Sequence, residues 1–144
     1  MRLLVSACLL GLCCRYDGGS VPCPQVIALA EQHEIVPVCP EQLGGLPTPR
    51  PPAEIQGDGR VVNRLGQDVT DAYEIGADEA LRLCWLLRCD GAVLKARSPS
   101  CGSESVYDGT FTGRLIQGQG VAARHLAQAG VPVWSEENLP KNEV

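Results

Sequence analysis

The run Arg2-Leu3-Leu4-Val5-Ser6-Ala7-Cys8 decides how the chain folds. Its Leu-Leu-Val centre is a short continuous apolar stretch of buried-strand type, bounded downstream by Gly11 and the Asp17-Gly18-Gly19 turn. Pro22–Glu34 follows as a helical pattern, with Val26, Ile27, Leu29 and Ala30 forming an apolar stripe. Ser20 is placed to cap it, and Pro22 or Pro24 falls in its first turn. Glu34–Cys39 then returns as a second strand, whose Pro37 assigns it to an edge or a strand end.

The alternation continues downstream. Leu46–Glu54 carries four prolines and reads as an extended, ordered loop. Gly57–Thr70, with Gly59, Gly66 and the Val61-Val62 pair, reads as a small loop or hairpin. Asp68–Arg88 is the longest helical pattern, with Tyr73, Ala77, Ala80, Leu81, Cys84 and Leu87 on one face and Asp68, Thr70 or Asp71 as cap. Gly91–Ala96 is a third buried strand, followed by the polar turn Arg97–Gly102. Gly118–Ala129 suits a helix ended by Gly130, Val131–Ser135 a fourth strand, and the polar tail from Glu136 is expected to be loose. Strands separated by helices imply right-handed crossovers and a parallel sheet. The expectation is an α/β fold: a single three-layer Rossmann-like domain over 1–144, with a short, mainly parallel sheet. Its core would span about 1–139, with a loose tail at 140–144.

Composition narrows the function classes. The chain has 144 residues, 44% of them hydrophobic and only 4% aromatic, which suits one aliphatic core. Twelve Lys and Arg against 17 Asp and Glu give a net charge of −5, which argues against a binder of nucleic-acid backbone. No apolar run approaches the roughly 18 residues of a membrane helix, and the short apolar start lacks the features of a signal peptide. Eight cysteines are therefore expected in a reducing, cytoplasmic setting, where disulfides are not their explanation.

Three of those cysteines share one address. Cys8 follows strand one, Cys39 ends strand two, and Cys101 sits in the turn after strand three. The carboxyl ends of parallel strands meet at one edge, where ligands bind at the point of strand-order reversal. Three thiolates leave one coordination position open. On zinc that makes a catalytic-type site, and on a four-iron cluster it leaves one iron free as a Lewis acid. Cys14 is a candidate fourth ligand. Cys84 and Cys89 fall on or beside the long helix and read as core, whereas Cys13 and Cys23 stay unassigned.

Polar groups flank this address. Glu41, two residues after Cys39, is placed to take and return a proton beside a metal site. Ser98 and Ser100, on either side of Pro99, offer hydroxyls for holding substrate or relaying a proton. Lys95, near the end of a buried strand, needs a partner or a path to solvent and is a candidate substrate contact. Arg15-Tyr16-Asp17-Gly18 reads as a turn held by charge pairing. His33 and His125 lack a partner at i+3 or i+4 and read as structural.

In order, Ser6-Ala7-Cys8-Leu9-Leu10-Gly11, Cys14-Arg15-Tyr16-Asp17-Gly18, Cys39-Pro40-Glu41-Gln42-Leu43-Gly44-Gly45-Leu46, Pro49-Arg50 and Lys95-Ala96-Arg97-Ser98-Pro99-Ser100-Cys101-Gly102 resemble the motifs of the 2-thiouracil desulfidases. The resemblance runs from Met1 to about Leu139. It implies a [4Fe-4S] cluster held by Cys8, Cys39 and Cys101, and a non-redox desulfuration of 2-thiouracil to uracil. In that scheme the thiocarbonyl sulfur binds the open iron, water replaces it at the ring carbon, and sulfide stays transiently on the cluster before release. Glu41 would activate the water, and Ser98 or Ser100 would orient substrate or assist proton transfer. With a net charge of −5, a free thio-nucleobase is favoured over RNA as partner. The competing readings are a zinc- or cluster-binding structural or sensing module, and a sulfurtransferase carrying a persulfide, to which the Cys13-Cys14 pair lends weak support.

Overall fold

The computed structural model describes residues 1–140, so all but Pro140 of the expected loose tail lies outside the described residues. In chain order the strands are β1 (Arg2–Ser6), β2 (Glu34–Val38), β3 (Ala53–Ile55), β4 (Val61–Asn63), β5 (Gly91–Leu94), β6 (Ser105–Tyr107), β7 (Leu115–Gln117) and β8 (Val133–Ser135). The helices are α1 (Pro24–Ile27), α2 (Pro40–Leu43), α3 (Thr70–Leu86) and α4 (Val121–Gln128).

The central sheet has the order β2-β1-β5-β8, with every pairing parallel. Pro37 lies on the edge strand β2, where its missing N–H costs no ladder bond to an outer neighbour. Side chains alternate across the sheet and so divide the core. Leu3, Val5 and Val93 pack with Leu9 and Val26 on one face. Leu4, Ala92 and Leu94 pack with Ala80 and Cys84 of α3 and Ala123 and Leu126 of α4 on the other. The result is the expected three-layer α/β, Rossmann-like arrangement. The chain passes from β1 to β2 on one side and then to β5 on the other, so strand order reverses at the carboxyl ends of β1 and β5.

The long helix buries Tyr73, Gly76, Ala77, Ala80 and Cys84 at three- and four-residue steps, whereas Leu81 is partly buried and Leu87, expected on the same face, is its exposed C-cap. Its N-cap is Val69, which makes no side-chain cap bond. Asp68 instead accepts the N–H of Thr70 at 2.9 Å, and the Thr70 hydroxyl accepts the N–H of Val61 at 2.9 Å. Two glycines let α2 lie against α3. A Cβ on Gly76 would sit 1.9 Å from the Pro40 carbonyl oxygen, and one on Gly44 1.9 Å from that of Ala72. The hairpin in this region begins earlier than the expected Gly57–Thr70: β3, which starts inside the stretch read as an extended loop, pairs with β4 and packs Ala53 and Val61 onto Tyr73, Ala77 and Val121.

Three segments differ from expectation. Pro22–Glu34 is not one helix: α1 makes a single turn capped at Cys23, not Ser20, and Ala28–Glu31 is a 3-10 turn. Only Val26 of this stretch is fully buried and Ile27 is 43% exposed, so the apolar stripe lacks the packing that sustains a longer helix. An additional antiparallel hairpin, β6–β7, extends over the turn region after β5. The chain from Glu136 is fastened, not loose, because Glu136 and Glu137 bind back to the end of β5 and its following turn. No helix among the described residues is long and apolar enough to cross a membrane.

Candidate functional site

A cavity of about 370 Å³ opens at the carboxyl edge of the sheet. Cys8, Cys39 and Cys101 all line it, and so does Cys14. The fold delivers each one separately. Cys8 sits in a 3-10 turn (Ala7–Leu10) directly after β1, Cys39 is the N-cap of α2, and Cys101 lies in the turn after β5. Cys8, Cys14 and Cys101 are buried, while Cys39 is half-buried. The Cys39 thiol donates to the Cys14 carbonyl oxygen at 3.8 Å.

Burial sets the state of these thiols. It pushes Cys8 up to about 11 against the opposing pull of the Lys95 ammonium. Burial, followed by the neighbouring Cys39 and Cys8, pushes Cys14 up to about 12. Cys101 also rises to about 12 through burial, opposed by a hydrogen bond with Ser6. Without a bound metal these are protonated thiols, unlike the depressed thiolates of nucleophilic cysteines. Among the described residues, no three or more His, Cys, Asp or Glu side chains converge on a single-ion site. A zinc tripod needs its sulfurs about 2.3 Å from a common centre. Thiols are soft donors, the class that holds iron–sulfur groups as well as zinc.

The other cysteines lie elsewhere. Cys84 is buried in the α3–α4 layer, where its thiol donates to the Cys89 carbonyl at 3.9 Å, and Cys89 packs against the same cluster. Cys13 is exposed although its neighbour Cys14 is buried, so the adjacent pair does not share a site. All eight cysteines are free.

Glu41 lies in the first turn of α2 and lines the cavity. Its Oε2 accepts the Tyr73 hydroxyl at 2.9 Å and Arg50 Nε and Nη2 at 3.2 Å each. None of these contacts involves Oε1. The pair is well shielded, with the Arg50 and Glu41 side chains 5% and 14% exposed. Arg50 also donates to the carbonyl oxygens of Cys14 at 3.0 Å and Pro47 at 3.3 Å, and to the Thr48 hydroxyl at 3.1 Å. It therefore ties the carboxylate, the proline-rich loop and the Cys14 segment together. The Tyr73 hydroxyl is held far above its usual range by burial and by the facing Glu41 carboxylate, so it stays a donor.

The serines part company. Ser98 lines the cavity, and its hydroxyl oxygen accepts the N–H groups of Ser100 at 3.1 Å and Cys101 at 3.0 Å. Ser100 is fully buried, is not among the lining residues, and its hydroxyl has no partner among the described residues. Lys95 lines the cavity and finds its partner in Glu136 at 3.0 Å, with the Ala96 carbonyl at 3.1 Å. The Arg15–Gly18 turn is held by backbone bonds and by the Asp17 carboxylate on the Gly19 N–H, and Arg15 lies over the Tyr16 ring. His125 bridges Glu74 and Asp78 on the α3–α4 surface, a structural position.

Reading the sequence left out Arg50, Tyr73, Ser6 and Glu136 as site residues. Arg50 sits between two prolines in a loop with no periodicity, and the helical period places Tyr73 in the core on α3. Ser6 ends β1 and accepts the Lys95 N–H at 2.9 Å, which joins β1 to the end of β5 beside Cys101.

Known proteins resemble this chain over nearly its whole length. A solved structure of the [4Fe-4S]-dependent thiouracil desulfidase TudS superposes with a TM-score of 0.90 at 45% identity, covering 96% of this chain and 93% of that one. The protein YbbK of Bacillus subtilis (strain 168), named as uncharacterized, is 42% identical over 146 residues, covering 95% of this chain and 97% of its own. The family model described as 2-thiouracil desulfurase matches residues 3–138. The chain belongs to the 2-thiouracil desulfurase family.

Proposed function

We propose that this protein is a thiouracil desulfidase that holds a [4Fe-4S] cluster through Cys8, Cys39 and Cys101 and converts a thiolated pyrimidine base and water into the oxo base and sulfide without net redox change. The observation that carries the reading is one cavity lined by these thiols together with a shielded Glu41–Arg50–Tyr73 network. When bound, the cluster supplies an iron without a protein ligand, a soft Lewis acid that prefers sulfur to oxygen.

The chain's own residues do the rest. Arg50 and Tyr73 fix Oε2 of Glu41, which leaves Oε1 to take a proton from the water that attacks the ring carbon and to return it to a ring nitrogen or the departing sulfur. Ser98, whose oxygen already accepts two N–H groups, keeps its own proton for donation to a substrate heteroatom. Ser100 lacks that access, so Ser98 is the serine assigned to substrate. Lys95 is neutralised by Glu136 and contributes a positioned N–H donor at the cavity wall, not a free charge. The cysteine arrangement supports Cys14 as a neighbour of the ligand set, buried beside Cys39 and tied down through its carbonyl by Arg50. The whole chain acts as one desulfidase domain, and its eight free thiols fit a reducing, cytoplasmic setting.

Purification without oxygen, followed by iron and acid-labile sulfide analysis, is expected to give roughly four irons per chain. Incubation with 2-thiouracil is expected to release uracil and sulfide with no added reductant. Glu41→Gln should keep the iron and lose turnover by at least about 100-fold, the usual weight of a general acid–base group. Protein that stays iron-free after reconstitution, or an iron-loaded protein that leaves thiouracil intact, would overturn the reading.

A further inference from the structure

The chain has only six aromatic residues, three Tyr, two Trp and one Phe. All three tyrosines, Tyr16, Tyr73 and Tyr107, and the single phenylalanine, Phe111, line the cavity. A protein this poor in aromatic side chains has gathered most of them around one space. Two of the tyrosines have other engagements. Tyr73 gives its hydroxyl to Glu41, and Tyr16 lies under the Arg15 guanidinium 5.6 Å from its ring centre. Phe111 has no polar atom to spend, and it is half-buried in the loop that joins β6 to β7.

Phe111 also has a backbone φ of +58°. For a bulky side chain this is an unfavourable conformation, and it persists only where the surroundings impose it. Here β3 and the residue after it impose it. Oε1 of Glu54 accepts the N–H groups of both Gly109 and Phe111, at 3.0 and 3.1 Å. Gln56 Nε2 donates to the Gly109 carbonyl at 3.2 Å. Gly109 itself lies so close to β3 that a Cβ there would meet the Ile55 carbonyl oxygen at 2.9 Å. The tip of the hairpin is thus clamped on both sides of Thr110, at the cost of a strained Phe111.

We propose that Phe111 is the stacking platform for the flat heteroaromatic ring of the substrate, and that Glu54 is the positioning residue that holds it there. The proposal rests on the thio-pyrimidine reading above and adds the group that recognises the ring. A π-face does not distinguish sulfur from oxygen on the ring's edge, so the platform binds substrate and transition state alike. Its loss therefore raises KM and leaves kcat nearly unchanged.

The test uses the iron-loaded full chain. Phe111→Leu keeps apolar bulk but removes the aromatic face, and is expected to raise the KM for 2-thiouracil about 3- to 10-fold, the usual range for an aromatic pair. The inhibition constant of uracil should rise by the same factor, because the ring is the same. Phe111→Tyr should stay within about 2-fold of wild type. Glu54→Ala should match Phe111→Leu, Glu54→Gln should restore the wild-type KM by keeping the acceptor oxygen, and Phe111→Leu with Glu54→Ala should add nothing further. Phe111→Gly removes the side chain altogether and is expected to raise KM at least as much as Phe111→Leu does. Wild-type protein that ignores thiouracil sinks the parent reading and the platform with it. An active wild type whose KM is unmoved in Phe111→Leu, or whose kcat falls instead, sinks the platform alone.

Discussion

Replacing Arg50 by Met tests the network around Glu41. Methionine keeps an apolar stem in the same space and deletes the guanidinium, with its donations to Glu41, Cys14, Pro47 and Thr48. The side chains of Arg50 and Glu41 are only 5% and 14% exposed, so solvent screens little of the loss. Removing one partner of a buried pair costs about 3 to 5 kcal/mol, most of it the stranded charge. The lower end applies here, at about 3 kcal/mol, because the Tyr73 hydroxyl still donates to Oε2. With about 2.1 cal/mol/K of unfolding entropy per residue, a chain of 144 residues loses roughly 3 °C in Tm per kcal/mol. Arg50→Met should therefore melt about 10 °C below wild type, followed by circular dichroism at fixed iron content and ionic strength. Adding Glu41→Gln removes the stranded charge, so the double variant should recover about half of that loss. A single variant within about 2 °C of wild type, or a double variant less stable than the single, would show that the pair is not the support described here.

Two further predictions concern the thiols and the helix contact. Cys8→Ala, Cys39→Ala and Cys101→Ala should each lose iron and activity, whereas Cys84→Ala and Cys89→Ala should keep both with at most modest loss of Tm. Iron analysis of the same series decides the role of Cys14, since Cys14→Ala strips the iron only if the site is closed by four thiolates. Gly76→Ala places a methyl group 1.9 Å from the Pro40 carbonyl and must push α2 away from α3. It should cost about 3 kcal/mol or more and reduce turnover by displacing Glu41, checked by thermal melting and single-turnover desulfuration.

The sheet was legible because its strands are apolar runs between turn signals, and because alternation with helices forces parallel pairing. Leu3 to Val5 and Gly91 to Leu94 carried that information locally. The thiol cavity was legible for the same reason: once the strands are parallel, Cys8, Cys39 and Cys101 share an edge. What stayed hidden depends on long side chains reaching between distant segments. Arg50 meets Glu41 and Cys14 only because the proline-rich loop folds back over the sheet edge. Glu136, read as tail, reaches Lys95 from beyond β8. Tyr73 obeys the helical period of a core residue, and nothing in that period reveals that its hydroxyl is spent on a carboxylate. The hairpin β6–β7 has three-residue strands, and all of β7 is exposed, so it offers no apolar alternation to read. Pro22–Glu34 shows the opposite error, a convincing stripe with too little for it to pack against.

The separate delivery of the three thiols has a consequence for biogenesis. A local Cys-x-x-Cys pair can capture metal on a nascent chain and template the fold around it. Here each candidate ligand follows a different strand, so an unfolded polypeptide presents no coherent donor set, and closing the sheet creates one. With Cys8, Cys39 and Cys101 as the proposed ligands, maturation would run from fold to metal. The free energy of iron binding would then accrue to the native state alone and couple the protein's persistence to iron and sulfide supply.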